Sequence, residues 1–369
     1  MIVLCDVQKD SFLAAFDLAD GRELWRTPRK DVPTWGTPAV VEAAGKKQIV
    51  VNGWHETGGY DFATGGNLWT MDGGGDIPVP TPVFAHGLIY LTSAHGNWRP
   101  IRAIRPGATG SITPADPGKT NDHIAWAHGR QGNYMQTPIV TGDLLFACND
   151  LGVVTCFDAK TGAIHFGERL SRRGQGFTAS PVSDGRHVYF ASELGSVFVV
   201  PAAEKFSTVA TNALPETCMS TPAIHDGMLL FRTRDRVVAI AQGAKSEGIP
   251  LSAEAASAKE PVPVKMGKPD ARLVGEWEGT LHVGADLRLR FAIRDGGEKM
   301  TGNLVSLDQG NATLAISRIG EVDGRVRLEI DEIGGAFEGR WNEAHDEVSG
   351  EWRQLDKPFP LVLKRAPKP

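Results

Sequence analysis

The sequence predicts an all-β protein in which a β-propeller is followed by a small separate β-domain. Three observations predict this fold. A Ser/Thr-Pro dipeptide recurs about every 42 residues, a second motif built on an aspartate turn recurs in phase with it, and the residues beyond 271 alternate between apolar and polar. The chain also contains 43 Gly and 23 Pro, which favours many turns and short strands over long helices.

The Ser/Thr-Pro dipeptides mark the repeat because each one opens an apolar run. Their successive spacings are 44, 56, 43 and 41 residues. An insertion across roughly 105–123 explains the long second step. The dipeptides are Thr37-Pro38, Thr81-Pro82, Thr137-Pro138, Ser180-Pro181 and Thr221-Pro222.

The second motif is an Asp-x-x-(Asp/Thr)-Gly turn followed by an aromatic residue. It occupies 15–25, 59–69 and 156–166, and Trp126 marks a further copy in which the turn is lost. An aspartate side chain can accept hydrogen bonds from its own backbone downstream, and glycine tolerates the positive φ that ends such turns. We expect the motif tryptophans Trp25, Trp69 and Trp126 to pack between neighbouring units.

Each repeat contains four short strand signals, which is typical of a propeller blade. On these two motifs, residues 1–242 resemble the PQQ-type repeat. Its families include quinoprotein alcohol dehydrogenases, the propeller lipoprotein of the outer-membrane assembly machinery, and a bacterial group called PQQ-binding-like β-propeller repeat proteins. The resemblance implies a PQQ-type β-propeller of eight blades, of which about five and a half are present here. It also implies an exported protein, periplasmic or secreted.

The two ends of the repeat region depart from that pattern. The first unit begins at Ile2–Cys5 without its Ser/Thr-Pro strand, and the last unit, Thr221–Ile240, has three strand signals. We therefore expect an N-terminally truncated product. Residues 1–5 lack the charged start and apolar stretch of a signal peptide. No run of 18 apolar residues predicts a transmembrane segment.

Residues 243–270 are small, charged or proline, and predict a flexible linker. Residues 271–366 alternate apolar and polar positions over about eight strands, which predicts a small barrel or sandwich with Arg288, Arg290, Arg325 and Arg327 on outer faces. This region resembles a domain attached to bacterial serine and α/β-hydrolases. The matching pieces are 275–279, 307–310, 337–339 and 350–352. The Gly-x-Ser-x-Gly elbow of the hydrolases is absent from the sequence.

Several chemistries find little support in the residues present. The formal net charge is −5 without a Lys/Arg run, so nucleic acid is not an expected partner. The ten histidines show no paired metal-ligand spacing, so we predict no metal site. The acidic and amide ligands and vicinal cysteines of quinoproteins are not recognisable. PQQ is therefore possible by resemblance but is not supported as a cofactor, and we predict no catalytic residue.

The four cysteines are Cys5, Cys148, Cys156 and Cys218, and we expect free, buried thiols. A hairpin closed at residues 149–152 would pair position 148 with 153 and position 145 with 156. In that register the sulfurs of Cys148 and Cys156 would not face each other.

The best candidate for a ligand site comes from propeller geometry. The segment before each Ser/Thr-Pro enters the innermost strand of a blade, so these segments should converge near the axis. The alternative is that their side chains only plug the channel. The candidate ligand-binding residues are Trp35, Asp76, Asn133, Tyr134, Gln136, Phe177, Thr178 and Met219.

The function we predict is a non-catalytic binding or scaffolding propeller of the bacterial cell envelope. Its partner would be an unknown protein or small-molecule ligand. The alternative is a PQQ-dependent oxidoreductase like the quinoprotein dehydrogenases.

Overall fold

The computed structural model describes residues 1–43, 45–72, 74–95, 98–171, 174–245, 265–282, 286–297, 299–308, 312–354 and 357–366. Its regular elements over these residues are 32 β-strands and two 3-10 turns, which confirms the all-β prediction. Most of the predicted linker, residues 246–264, lies outside the described ranges. In the described part of the chain, no helix is long and apolar enough to cross a membrane.

Two compact units make up the chain. The first comprises Met1–Leu170 with Phe177–Ser257, and the second comprises Ser171–Gly176 with Ala258–Pro369. The first unit contains six sheets in chain order, and we refer to them as blades one to six.

Blade one contains β1 (Ile2–Cys5), β2 (Phe12–Phe16) and β3 (Glu23–Pro28). Blade two contains β4 (Ala39–Ala43), β5 (Lys46–Val51), β6 (Thr57–Asp61) and β7 (Asn67–Met71). Blade three contains β8 (Val83–Ala85), β9 (Leu88–Thr92), β10 (Ile101–Ile104) and β12 (Ile124–His128), with β11 (Gly110–Ser111) in the insertion. Blade four contains β13 (Ile139–Thr141), β14 (Leu144–Cys148), β15 (Val153–Asp158) and β16 (Ile164–Arg169). Blade five contains β17 (Val182–Ser183), β18 (His187–Ala191), β19 (Ser196–Pro201) and β20 (Ala210–Ala213). Blade six contains β21 (Ala223–His225), β22 (Met228–Arg232) and β23 (Val237–Ala241).

This arrangement is a PQQ-type β-propeller, as predicted. Within each blade the strands follow one another in an antiparallel meander, and the innermost strands β8, β13, β17 and β21 are neighbours in succession. Blades two to five are complete with four strands, whereas blades one and six have three each over the described residues. The expected content of about five and a half blades is therefore confirmed.

The aspartate turns have the predicted chemistry. Oδ1 of Asp61 accepts the N–H groups of Ala63 (3.0 Å) and Thr64 (2.9 Å) and the Thr64 hydroxyl (2.9 Å). Asp158 accepts the equivalent three bonds from Lys160 and Thr161. The hydroxyl of Thr64 is the main cause that lowers the pKa of Asp61.

The motif tryptophans join one blade to the next. The indole N–H of Trp25 in blade one donates to the carbonyl of Phe62 (3.3 Å), and its ring lies against Gly65 in the turn of blade two. Trp126 has the same relation to blade four: it donates to the Ala159 carbonyl (2.9 Å) and covers Gly162. These glycines have positive φ and leave no room for a Cβ beside the indole ring.

The insertion at 105–123 covers the remaining tryptophan. Its strand β11 pairs in parallel with β7, and the N–H of Ile112 donates to the Thr70 carbonyl (2.8 Å). Ile112 and Ala108 share a buried cluster with Trp69, which is fully buried. The insertion thus occupies the place where other blades have their aspartate turn.

The register of the β14–β15 hairpin differs from the prediction by one residue. Cys148 pairs with Val154, and Phe146 pairs with Cys156. The reason is Asn149, whose side chain accepts the N–H groups of Leu151 (3.0 Å) and Val153 (2.9 Å) and so extends the loop. Both thiols therefore lie on one face of the hairpin, diagonal to each other, and both are free and buried as expected.

The second unit is a barrel of antiparallel strands, which decides between the predicted barrel and sandwich. Its sheet order is β27-β26-β25-β24-β32-β31-β30-β29-β28. The N–H of Ile316 donates to the Gly302 carbonyl in β26 (2.8 Å). The next N–H along the chain, that of Ser317, donates to the Glu329 carbonyl in β29 (2.7 Å). The run β27–β28 is thus one bent strand that joins both ends of the sheet, giving the eight expected strands. They are β24 (Gly275–His282), β25 (Asp286–Asp295), β26 (Met300–Ser306), β27 (Ala312–Ala315) with β28 (Arg318–Val322), β29 (Arg325–Ile330), β30 (Gly335–Trp341), β31 (Glu347–Gln354) and β32 (Lys357–Arg365).

Large side chains fill the barrel, and paired charges cover its outside. The interior includes Trp277, Phe291, Phe337 and Trp352, each at most 2% exposed. The four arginines expected on outer faces lie there in ion pairs. Arg290 pairs with Glu278, and Arg325 and Arg327 pair with Glu338, in each case on a neighbouring strand, whereas Arg288 pairs with Asp308 in the turn after β26.

Candidate binding site

The segments that enter the innermost strands meet the hairpins between second and third strands at one end of the propeller. The backbone N–H of Trp35 donates to the Pro78 carbonyl (3.1 Å). The backbone N–H of Asp76 donates to the His95 carbonyl (3.3 Å). Further round, the N–H of Cys218 in the segment entering blade six bonds to the Glu193 carbonyl (3.1 Å). We call these segments and hairpins the axial-end loops.

The Ser/Thr-Pro motif links successive entering segments. The N–H of Thr81 donates to the Thr137 hydroxyl (3.0 Å), the N–H of Thr137 to the Ser180 hydroxyl (2.9 Å), and the N–H of Ser180 to the Thr221 hydroxyl (3.1 Å). A hydroxyl at each of these positions therefore joins one inner strand to the preceding one. The sequence showed the repetition of this motif but not its role, because the bond spans 41 to 56 residues.

Three of the predicted site residues are buried and hold the loops in place. Asn133 is fully buried: its N–H bonds to the Thr92 hydroxyl (2.9 Å) and its side-chain N–H bonds to the Gln136 carbonyl (2.9 Å). The buried Gln136 side chain donates to the Phe177 carbonyl, and the Phe177 ring fills the space beside Gly152. These side chains position the loops and do not present a surface to a ligand.

Four others reach the surface. Trp35 is 59% exposed and Met219 is 62% exposed. Tyr134 stacks on His95 with 5.5 Å between ring centroids, and His95 lies 3.8 Å from the Asp76 carboxylate. The structure therefore brings Asp76 and Tyr134 together through a histidine that the prediction did not include.

The last predicted residue, Thr178, donates from its hydroxyl to the carboxylate of Glu193. Glu193 lies in the hairpin between the second and third strands of the same blade. The pair therefore ties an entering segment to its own hairpin.

Sequence reasoning missed the aromatic residues of the hairpins. Trp54 stacks on His55 with 4.0 Å between ring centroids, and Trp98 lies under the guanidinium of Arg130 at 6.0 Å. The available signal was a tryptophan between the second and third strand signals of a repeat: Trp54 lies between β5 and β6, and Trp98 lies between β9 and β10. We group these aromatic pairs with the exposed or partly exposed predicted residues of the segments that enter blades two to four, and call the set the axial-end strip. It comprises Trp35, Trp54, His55, Asp76, His95, Trp98, Arg130 and Tyr134.

A buried cluster of ion pairs holds one hairpin of this strip in place. The Arg29 side chain is fully buried and pairs with the equally buried Asp6 (2.8 Å) and Asp31 (3.2 Å). The Asp31 carboxylate also accepts the N–H groups of Trp54 (3.0 Å) and His55 (3.2 Å). This cluster fixes the hairpin that carries the partly exposed Trp54 ring and the exposed His55 ring, and the sequence alone did not reveal it.

Glu216 is the other acidic residue of the entering segments, and its carboxylate is bound by the hairpin between the second and third strands of blade six. Its carboxylate accepts the N–H of Asp235 (3.0 Å) and the hydroxyl of Thr233 (2.7 Å), and it pairs with Arg236 (2.6 Å). The bond from Asp235 is the main cause that lowers its pKa. Glu216 is thus a stably charged anchor of the hairpin.

This donor set does not fit a divalent cation and a quinone. Arginine and backbone donors engage the carboxylates of Asp31 and Glu216, and the exposed Asp76 carboxylate lies 3.8 Å from the His95 ring. Over the described ranges, no three His, Cys, Asp or Glu side chains lie close enough to hold a metal ion. The arrangement can offer aromatic faces and a few polar groups to a partner.

The described geometry can be compared with known proteins. No curated protein matches the chain. Among solved structures, BamB from Moraxella catarrhalis is 12% identical, with 100% of this chain and 95% of that chain covered and a TM-score of 0.47. The designed Ika8 protein is 11% identical, with 99% and 93% covered and a TM-score of 0.45. The quinohemoprotein alcohol dehydrogenase from Comamonas testosteroni is 11% identical, with 100% and 74% covered and a TM-score of 0.39. Residues 9–240 match the model of the family described as outer membrane protein assembly factor BamB, and the chain therefore belongs to this family.

Proposed function

We propose that this chain is a non-catalytic binding or scaffolding propeller of the bacterial cell envelope, and that it contacts a protein partner through the axial-end strip. The family to which it belongs supports the envelope location. A small-molecule ligand is the alternative occupant of the same strip.

One observation carries the proposal: exposed aromatic side chains stand on loops that are rigidly held. Trp35 is 59% exposed, yet its backbone bonds to the next entering segment, and the hairpin of Trp54 is fixed by buried Asp31. Trp, Tyr and Arg on a pre-organised surface are the residues that dominate binding energy at protein interfaces. Little ordering cost would then oppose association.

Site-specific photocrosslinking tests the proposal. A photoreactive amino acid replaces Trp35 in the full chain, and the control replaces Leu18, which is 84% exposed in the β2–β3 turn at the opposite end of its blade. We expect a protein adduct of one discrete mass from position 35 in the envelope fraction, lost when Trp54 and Tyr134 are changed to Ala. Equal adducts from both positions, or none from position 35, would overturn the proposal.

A titration with PQQ and calcium separates this function from a PQQ-dependent oxidoreductase. A quinoprotein needs a cation to polarise the quinone and a carboxylate to accept a proton. We expect no dye-linked oxidation of alcohols or sugars by the full chain, because arginine and backbone donors already engage the carboxylates of Asp31 and Glu216. Turnover that disappears in Asp76→Ala would contradict the scaffold proposal.

A further inference from the structure

Two glycines of the axial end allow the hairpins of blades two and three to lie close together. A Cβ built on Gly74 would stand 3.1 Å from the Ser93 hydroxyl oxygen on one side and 3.8 Å from the Trp54 carbonyl oxygen on the other. A Cβ on Gly75 would clash with the Ala94 carbonyl oxygen at 2.4 Å. Only a residue without a side chain permits that approach. At these positions the segment that enters blade three therefore lies as bare backbone between the two hairpins.

Aromatic residues lie on both sides of this glycine backbone. On the side of blade two, the hairpin carries Trp54. On the side of blade three, the hairpin carries His95, whose ring stacks on Tyr134 with 5.5 Å between ring centroids. Trp54, Gly74 and Tyr134 are all partly exposed. The axial-end strip is thus a continuous surface in which accessible backbone separates aromatic side chains.

The side chains of the strip are rich in hydrogen-bond donors. An indole N–H can only donate, and among the described residues the indole N–H groups of Trp35, Trp54 and Trp98 have no acceptor within the protein. The Tyr134 hydroxyl and the Arg130 guanidinium likewise donate to no acceptor in that part of the chain. A partner that fits this surface must therefore supply acceptors.

Asp76 supplies the one carboxylate of the axial-end strip. It is exposed and lies 3.8 Å from the His95 ring, and no lysine or arginine of the described residues pairs with it. Charges across an interface are arranged so that their potentials are complementary. The partner should therefore place a lysine or arginine against Asp76.

A proline-rich segment in the polyproline II conformation matches this combination of groups. That conformation has no internal hydrogen bonds, so every carbonyl remains free to accept from the indole and phenol donors. Proline has no N–H that would need an acceptor, and its ring packs well on aromatic side chains. An α-helix already satisfies its own carbonyls, and a β-strand would need acceptors from the strip as well as donors.

We propose that the axial-end strip binds a proline-rich segment of its partner in the polyproline II conformation, with a lysine or arginine beside the prolines. This inference rests on the proposed function, because it names the class of partner for the same strip. Trp35, Trp54 and Tyr134 donate to the carbonyls of the segment, and Asp76 pairs with its basic residue. The bare backbone at Gly74 lets the segment approach between the rings.

A fluorescein-labelled peptide of one lysine followed by nine prolines is the probe, used with the full chain. Fluorescence anisotropy measures its binding, and NMR spectra follow the indole N–H signals of the tryptophans. We expect saturable binding that shifts the signals of Trp35 and Trp54, because their N–H groups gain an acceptor. A peptide with glycine and serine in place of the prolines should bind about tenfold more weakly or worse, because it lacks the rings and loses more conformational freedom on binding.

Conservative variants separate the hydrogen bonds from the apolar contact. Trp35→Phe and Trp54→Phe keep an aromatic ring but remove the N–H, and each should weaken binding by about threefold to tenfold. Asp76→Asn keeps the size of the side chain and should abolish the preference for the lysine peptide over one that begins with glutamate. Phe62→Ala is the matched control and should bind like the wild type, because it removes an exposed aromatic from the β6–β7 turn at the opposite end of its blade.

Competition distinguishes failure of this inference from failure of the proposed function. A saturating amount of unlabelled proline peptide should abolish the photocrosslinked adduct from position 35 in the envelope fraction. An adduct that persists, or that forms although the peptide does not bind, would overturn the proline-rich partner and leave the strip as a protein-binding surface. Peptide binding that is unchanged in both tryptophan variants and in Asp76→Asn would also overturn it. Absence of both adduct and peptide binding would overturn the proposed function together with this inference.

Discussion

The surroundings of each indole ring decide what that tryptophan does. Trp69 is fully buried, and its N–H donates to the Gln48 side chain at 3.0 Å. Trp35 belongs to the same residue type but is 59% exposed on a loop. The first stabilises the propeller, whereas the second is available to a partner.

Replacement of Trp69 by Ala should therefore destabilise the protein strongly. The change removes a buried aromatic from the cluster with Ile112 and leaves the Gln48 side chain without its donor. We expect the free energy of unfolding to fall by about 3–5 kcal/mol, measured by urea denaturation followed by circular dichroism. Trp35→Ala is the control and should change it by less than about 0.5 kcal/mol. A similar small effect for Trp69→Ala would show that its cluster is not part of the core.

Asp184 makes stability depend on pH. Burial opposes its charge, but the N–H groups of His187 and Arg186 and the Tyr189 hydroxyl outweigh that effect and lower the pKa of Asp184 to about 2. An unfolded aspartate titrates near 3.9. Its stabilisation is therefore complete above about pH 4 and is lost as the pH falls towards 2.

The variant Asp184→Asn should reveal this dependence. Urea midpoints should show it to be less stable than the wild type at pH 6, with the difference shrinking as the pH falls from about 4 to about 2. Asp226→Asn, an exposed carboxyl in the equivalent turn of blade six, is the matched control. A stability difference that stays constant over this range would contradict the assignment.

At the scale of the element, one turn serves two functions. The Asp-x-x-Thr-Gly segment closes the hairpin of its own blade and offers its glycine as a flat surface to the aromatic of the preceding blade. The local turn and the contact between blades therefore depend on the same position.

Gly65→Ala and Gly21→Ala separate these two functions. Both glycines have positive φ, but only Gly65 lies against a ring, that of Trp25; a Cβ on Gly21 would meet nothing within 4 Å. Gly21→Ala should cost about 1–2 kcal/mol for the backbone conformation. Gly65→Ala should cost about 1–3 kcal/mol more because of overpacking. Thermal unfolding of both variants would check this, and equal losses would mean that the indole moves aside freely.

At the scale of the whole molecule, the propeller and the barrel each have their own core. The barrel cluster includes Trp277 and Phe337, and none of the propeller clusters shares a residue with it. Such separation is typical of independent folding units.

Limited proteolysis should cut within residues 243–270 and leave a stable barrel fragment of about 95 residues. Mass spectrometry of the early products, with circular dichroism of the purified fragment, would check this. Cleavage distributed evenly through residues 273–365 would be incompatible with an independent barrel. This measurement also tests the predicted boundary at residue 242.

Local patterns determined most of the fold in advance. The turn at Asp61 depends on bonds to residues two and three positions away, so its sequence predicts its structure directly. Strand alternation from 287 to 293 likewise predicts β25, because successive side chains point to opposite faces. Repetition of these signals at a fixed period was sufficient to identify the propeller.

Only the tertiary structure decided which side chains of the axial-end loops are exposed to solvent. Asn133 and Tyr134 are neighbours in one loop, yet Asn133 is fully buried and Tyr134 is partly exposed beside His95. Similarly, Arg29 meets Asp6 across 23 positions. Burial and ion pairing of this kind depend on which distant segment covers a side chain. The period of the sequence could therefore place the loops at one end of the propeller, but it could not tell which of their side chains meet solvent.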